Sequence, residues 1–231
     1  SPRNTKEIKK LFSLLLPNIL AGGVVQINQF VGVIFASTIS GAISWLYYAD
    51  RVVQLPLGIF IISISTVMLT YLSKNKISNK NNIIKDKINS YFILIMGITF
   101  LCTIGLIALS DLIVDVLFKR GRFGYGDLRA TSDAILMYSL GLPAFGLIKF
   151  FSVLFFSKQN TKIPFYISLF SMFINIFLVF ILFKYHGHLG IALSLSVASW
   201  INAVILYIFL VRYKYWTISK KIFYLHLSFC N

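Results

Sequence analysis

The chain has 231 residues, 58% of them hydrophobic, and a mean hydropathy of +0.81. A water-soluble domain must cover itself with polar groups, so this composition excludes a solvated globule and points to a bilayer as solvent. Charged residues make up only 13%, yet 22 Lys+Arg stand against 7 Asp+Glu for a formal +15, a surplus that fits either nucleic acid or a membrane surface until the charges are located.

The opening SPRNTKEIKK is polar and basic and runs straight into an apolar stretch of spanning length, so no cleavable signal is visible; because the first residue is Ser1, a fragment of a longer protein is expected. Six apolar stretches reach the length that carries a helix across about 30 Å of hydrocarbon, at 11–37, 44–72, 91–110, 131–156, 163–183 and 189–211. In the first, Asn18, Gly22, Gln26 and Gln29 recur on one helical face just after Pro17. In the second, Asp50 and Arg51 follow WLYYA, and Arg51 shares a face with Gln54, Gly58 and Ser65, with Pro56 in between. Neighbouring helix positions do not face each other, so Arg51 needs a partner other than Asp50.

The linker SKNKISNKNNIIKDKINS reads as a solvated connection with a short interfacial helix, and the third span is apolar all round. The glycines of GRFGYGD lie in no strand-to-helix context and read as a turn. In the fourth span Lys149 shares a face with Ser139, Pro143 and Gly146. Ser168, Ser171 and Asn175 align on the fifth, and Ser199 and Asn202 on the sixth; for both strips interhelical packing and hydrogen bonding is the favoured reading. The closing IFYLHLSFCN is too short to cross, so residues 1–215 are expected to form a six-helix lobe and 216–231 a tail that opens a truncated further helix.

Six crossings divide the connections into two sets, and the cations are one-sided. The side of both termini carries 15 Lys/Arg, from Arg3 through Lys221, against 5 on the other (Lys119, Arg120, Arg122, Arg129 and Lys184). The positive-inside rule then places both ends in the cytoplasm, and attraction to anionic lipid accounts for the surplus without nucleic acid.

What remains inside the membrane is Arg51, Lys149, amides and, as carboxylate, Asp50, a set suited to an anionic headgroup such as a phosphate and poorly suited to a cationic drug. Pro17, Gly22, Pro56, Gly58 and Pro143 free backbone groups where moving bundles bend. Cys102 and Cys230 form no framework of paired spacings, and His186 and His188 make a weak metal case, so no disulfide, metal or cofactor is expected. Without paired carboxylates or a nucleophile constellation, an enzyme is the weaker class.

The segment SGAISWLYYADRVVQLPLGIF, the loop LFKRGRFGYGD and the connection FFSKQNTKIP, in that order along the chain, resemble the MurJ (MviN) lipid II flippases. The resemblance implies an all-α integral membrane fold, one six-helix lobe of a two-lobed transporter of the multidrug, oligosaccharidyl-lipid and polysaccharide exporter superfamily, corresponding to the C-terminal lobe with the N-terminal one missing. It further implies transport of lipid II across the bacterial inner membrane by alternating access, with Arg51 matching a functionally important cavity arginine, Asp50 its acidic neighbour, and Lys149 less closely aligned with a family lysine. Arg51, Asp50, Lys149, Gln26 and Gln54 are thus the expected substrate-binding set. Ala42 and Ile163 depart from the family pattern, away from the cations. The rival readings are a carrier of another polyprenyl-diphosphate saccharide or a drug, and a non-transporting fragment or scaffold.

Overall fold

The structure, a computed structural model, describes residues 23–24, 26–74 and 81–217. Pro17 and Gly22, and the tail beyond residue 217, lie outside them. Every regular element among the described residues is helical: α1 (Gln26–Ala36), α2 (Ala42–Pro56), a π-helical turn (Leu57–Ile61), α3 (Ile62–Lys74), α4 (Asn81–Phe118), α5 (Tyr125–Ser139), α6 (Leu142–Ser157), α7 (Lys162–His186) and α8 (His188–Arg212).

Four stretches are long and apolar enough to cross a membrane singly: Ala42–Lys74, Ile83–Phe118, Lys162–His186 and His188–Arg212. The pair α5 and α6, bent by 41°, makes a fifth as one broken span. Of the expected first span, α1 is the described portion, and its first half lies outside the described residues. Large apolar side chains point outward, Leu101 at 73% and Phe177 at 65% exposure, as expected of surface whose solvent is hydrocarbon.

The third helix is longer than its apolar run. Residues 81–90 of the basic linker continue α4 instead of leaving it, since no proline or glycine interrupts them; Lys85, Asp86 and Lys87 are exposed while Ile88 is buried against the core. Past the sixth span, Trp216 folds back into the bundle, packing on Phe92 and Phe150 and donating from Nε1 to Asn89 Oδ1 at 3.0 Å.

The fourth span is not one helix. Pro143 lies in the first turn of α6 and has no N–H for the Ser139 carbonyl. Neighbouring side chains reach the freed carbonyls: Ser196 Oγ donates to Met137 O (2.6 Å) and Trp200 Nε1 to Leu140 O (2.9 Å), while Thr103 Oγ1 shares its one proton between Thr99 O (2.8 Å) and Ser139 O (3.3 Å). Gly141 permits the close approach, because a Cβ there would sit 2.7 Å from Ser196 Oγ. The break is therefore pinned by α4 and α8. It also resets the helical phase between Ser139, in α5, and Pro143, Gly146 and Lys149, which share α6; of the four, Lys149 alone is exposed.

The second span handles its proline differently. Pro56 is followed by the π turn Leu57–Ile61, where Ile62 N–H bonds back to Leu57 O, and the helix continues as α3. Gly58 has nothing within 4 Å of a notional Cβ, and Ile59 and Phe60 are exposed.

One end of the bundle is clamped by polar contacts. Gly41 adopts φ +86°, and Trp45 packs against it so closely that a Cβ would meet the indole at 2.6 Å. The indole Nε1 donates to Asp127 Oδ1 (2.8 Å), the other Asp127 oxygen accepts from Gly124 N (2.9 Å), and the His188 ring meets the indole edge-on at 5.1 Å. In the adjoining loop Lys119 pairs with Asp115 at 2.6 Å; this hydrogen bond, helped by Tyr125, holds the ammonium above its usual pKa.

Candidate functional site

A cavity of about 600 Å³ opens between α1, α2, the π turn, α6, α7 and α8. Its charged lining residues are three: Asp50, Arg51 and Lys149. Periodicity brings Arg51, Gln54 and Gly58 to one wall, because positions three and four apart stack along a helix. Ser65, expected on that face, is buried and does not line the cavity, since the π turn shifts the register after Ile61.

Arg51 and Asp50 do not pair. Gln54 stands between them: its Nε2 donates in a short hydrogen bond to Asp50 Oδ2, and its Oε1 accepts from Arg51 Nη1 at 3.4 Å. The guanidinium carbon lies 4.7 Å above the Tyr47 ring centre. Arg51 is thus steadied by an amide and an aromatic face, both neutral, and makes no ion pair among the described residues. Its fork of donors stays open to the cavity. Lys149, on α6, adds a second cation to the lining. One carboxylate against two cations leaves the lining with a net positive charge.

The rest of the expected set is placed as follows. Gln54 lines the cavity; Gln26 is exposed and does not, and on α1 it is Asn28 and Gln29 that line it. Pro56 precedes the π turn without lining the cavity, and Pro143 is buried at the α5–α6 break. Asp133 is a carboxylate within the fourth span beyond the single one counted from sequence; it is half-buried in α5 and lies off the cavity.

The polar strips of α7 and α8 do both things. Ser168, Ser171 and Asn175 on α7, and Ser199 and Asn202 on α8, line the cavity. The interhelical packing expected of them is also present: Ser171, Asn175, Ser199 and Asn202 are buried, and Asn175 Nδ2 donates to Asn28 Oδ1 at 2.8 Å. Periodicity identifies a polar face but not what that face meets.

The family model described as "Lipid II flippase MurJ" matches residues 1–229. A probable lipid II flippase MurJ from Rhizobium meliloti (strain 1021) is 36% identical over 215 residues, covering 93% of this chain and 40% of the relative. One from Rickettsia prowazekii (strain Madrid E) is 38% identical over 208 residues, with 88% and 40% covered. Among solved structures, a lipid II flippase MurJ in an inward closed conformation superposes with TM-score 0.77 at 32% identity, over 94% of this chain and 45% of that one. A transporter of the MOP superfamily from Pyrococcus furiosus superposes at TM-score 0.71 with 13% identity, a likeness of fold alone. The chain spans about 40% of the length of these curated relatives.

Proposed function

The chain belongs to the lipid II flippase MurJ family of multi-pass bacterial membrane proteins, and from that membership we propose that it forms one lobe of a carrier that moves lipid II across the inner membrane by alternating access. The observation that carries this reading is the unneutralised Arg51 guanidinium in the lining of a cavity whose other cation is Lys149. A diphosphate is the ligand such a fork and second cation recognise best, through paired charge-assisted hydrogen bonds. Lys149 sets cavity potential, and Asp50, tied up by Gln54, leaves Arg51 free for the anion. The polyprenyl tail stays in lipid. A second lobe closes the cavity from the opposite side, and transport depends on that lobe.

Bending is assigned to the π turn at Pro56 and Gly58, which is flanked by exposed side chains, whereas the α5–α6 break is held by three side-chain bonds.

The test is a titration of lipid II onto the purified chain in detergent, read by native mass spectrometry. Saturable binding displaced by undecaprenyl diphosphate is expected; binding that undecaprenyl diphosphate does not displace contradicts a diphosphate site.

Both ends of the chain are assigned to the cytoplasm on the 15-to-5 distribution of Lys/Arg. With Cys102 and Cys230 replaced by alanine, an impermeant maleimide added to intact cells should modify Gly124→Cys and spare Ser78→Cys. The reverse pattern inverts the topology.

A further inference from the structure

Two adjacent tyrosines of α2 meet different surroundings. Tyr48 is half-buried and stacks on Phe118 with ring centres 4.6 Å apart, while Phe123 meets it edge-on at 6.0 Å, so its ring ties α2 to the end of α4 and the loop that follows. Tyr47 is 55% exposed and lines the cavity. Among the described residues its ring interactions are an edge-on contact with Tyr48 and the Arg51 guanidinium above its face. Packing accounts for Tyr48 and leaves Tyr47 without a structural reason.

Arg51 supplies one. Positions 47 and 51 lie one helical turn apart, so ring and cation meet through their spacing alone. A long side chain without an ion pair samples many rotamers, and the freedom it loses on meeting a ligand weakens the complex. A carboxylate could hold it but would cancel the charge that an anion needs. A ring face holds it without a charge, because the electron-rich centre attracts the cation. The ring covers one face of the guanidinium, Gln54 takes one N–H at its edge, and the remaining in-plane donors point where a pair of phosphate oxygens must approach.

We propose that Tyr47 is a positioning residue for anion binding: its ring fixes the Arg51 guanidinium in the cavity, face covered and edge presented, before the ligand arrives. The inference rests on the function proposed above and goes beyond it by assigning a role to a neutral side chain. Tyr47 acts through Arg51 and makes no contact of its own with the anion.

The probe is undecaprenyl diphosphate, titrated onto the purified chain in detergent and read by native mass spectrometry. Tyr47→Leu removes the ring and should weaken binding about 2- to 5-fold, the worth of a cation–π contact at an exposed site. Tyr47→Phe should restore what leucine loses, since the ring face and not the hydroxyl meets Arg51. Phenylalanine analogues at position 47 with successive ring fluorines keep the shape and drain the negative face, so affinity should fall stepwise along the series. Tyr47→Glu, which can pair with Arg51 at the same spacing, should bind more weakly than Tyr47→Leu because its charge competes with the ligand. In the Arg51→Ala background the fluorine series should be flat. Should Tyr47→Leu fail to fold, the fluorine series decides alone. Affinity indifferent to fluorination, or a fluorine effect of equal size with and without Arg51, overturns the positioning role and leaves the diphosphate reading standing. Failure of the unsubstituted chain to bind undecaprenyl diphosphate overturns both.

Discussion

Replacing Arg51 by alanine is expected to weaken binding of lipid II to this chain by on the order of ten- to a hundred-fold, or about 1.5–3 kcal/mol, the range for hydrogen bonds to a charged group. The size follows from what Arg51 does in the free lobe. Among the described residues it gives up no ion pair on meeting an anion, because Gln54 engages Asp50 and Arg51 itself rests on Gln54 and the Tyr47 ring. Little must be broken to bind, so most of the interaction is lost when the guanidinium is removed. Arg51→Lys should fall between the two, keeping the charge but losing the planar fork. Asp50→Asn should bind at least as tightly as the original, since it removes the one negative charge from the lining. Equal affinity in Arg51→Ala, measured in the same titration, sinks the assignment of Arg51.

The largest structural effect is expected at Gly190. A Cβ there would fall onto the backbone carbonyl of Leu182 and within 2.8 Å of Phe183 N, so α7 and α8 could not keep their present approach. Backbone atoms cannot rotate aside as a side chain does, and the helices meet again one turn earlier at Gly187, held at φ +55°. Gly190→Ala should destabilise the lobe by about 3 kcal/mol, at the upper end for overpacking. Gly105→Ala is the control: with nothing within 4 Å of its Cβ, it should be neutral or stabilise α4 by about 0.5–1 kcal/mol, the usual gain of alanine over glycine in a helix. Thermal unfolding in detergent, followed by tryptophan fluorescence, reads both. A Gly190→Ala midpoint equal to that of Gly105→Ala contradicts the packing argument.

The legible part of the fold is the part that composition alone determines. The second, third, fifth and sixth spans are each apolar enough over a spanning length, and a bilayer leaves such segments no state but a helix with its own backbone bonds made. Only their ends moved, as with α4, whose helix-forming linker residues lacked a signal to stop. The break in the fourth span was marked by Pro143, but its position was not, because it depends on Thr103, Ser196 and Trp200 arriving from other helices. A proline reports that a carbonyl is free; tertiary structure decides whether the bend is a hinge or a fixed corner.

The site divides in the same way. Arg51 and Lys149 were legible since charge in hydrocarbon is costly and so needs a reason. The arrangement Asp50–Gln54–Arg51 follows from spacing, as positions four and three apart meet on one face. That Ser171, Asn175 and Asn202 line the cavity was not legible, because neutral polar residues serve equally to join helices or to line a cavity.

The account stands on the claim that a lipid headgroup occupies this cavity with its diphosphate at the α2 and α6 wall. A photo-crosslinking amino acid at Ile148, beside Lys149 in the lining, tests it against one at Leu101, which is 73% exposed on the outer surface of α4. In membranes supplied with lipid II, the adduct at position 148 should map to the headgroup and disappear in the Arg51→Ala background, while any adduct at 101 should map to the hydrocarbon tail. Headgroup adducts of equal yield at both positions, or a yield at 148 indifferent to Arg51, would contradict it.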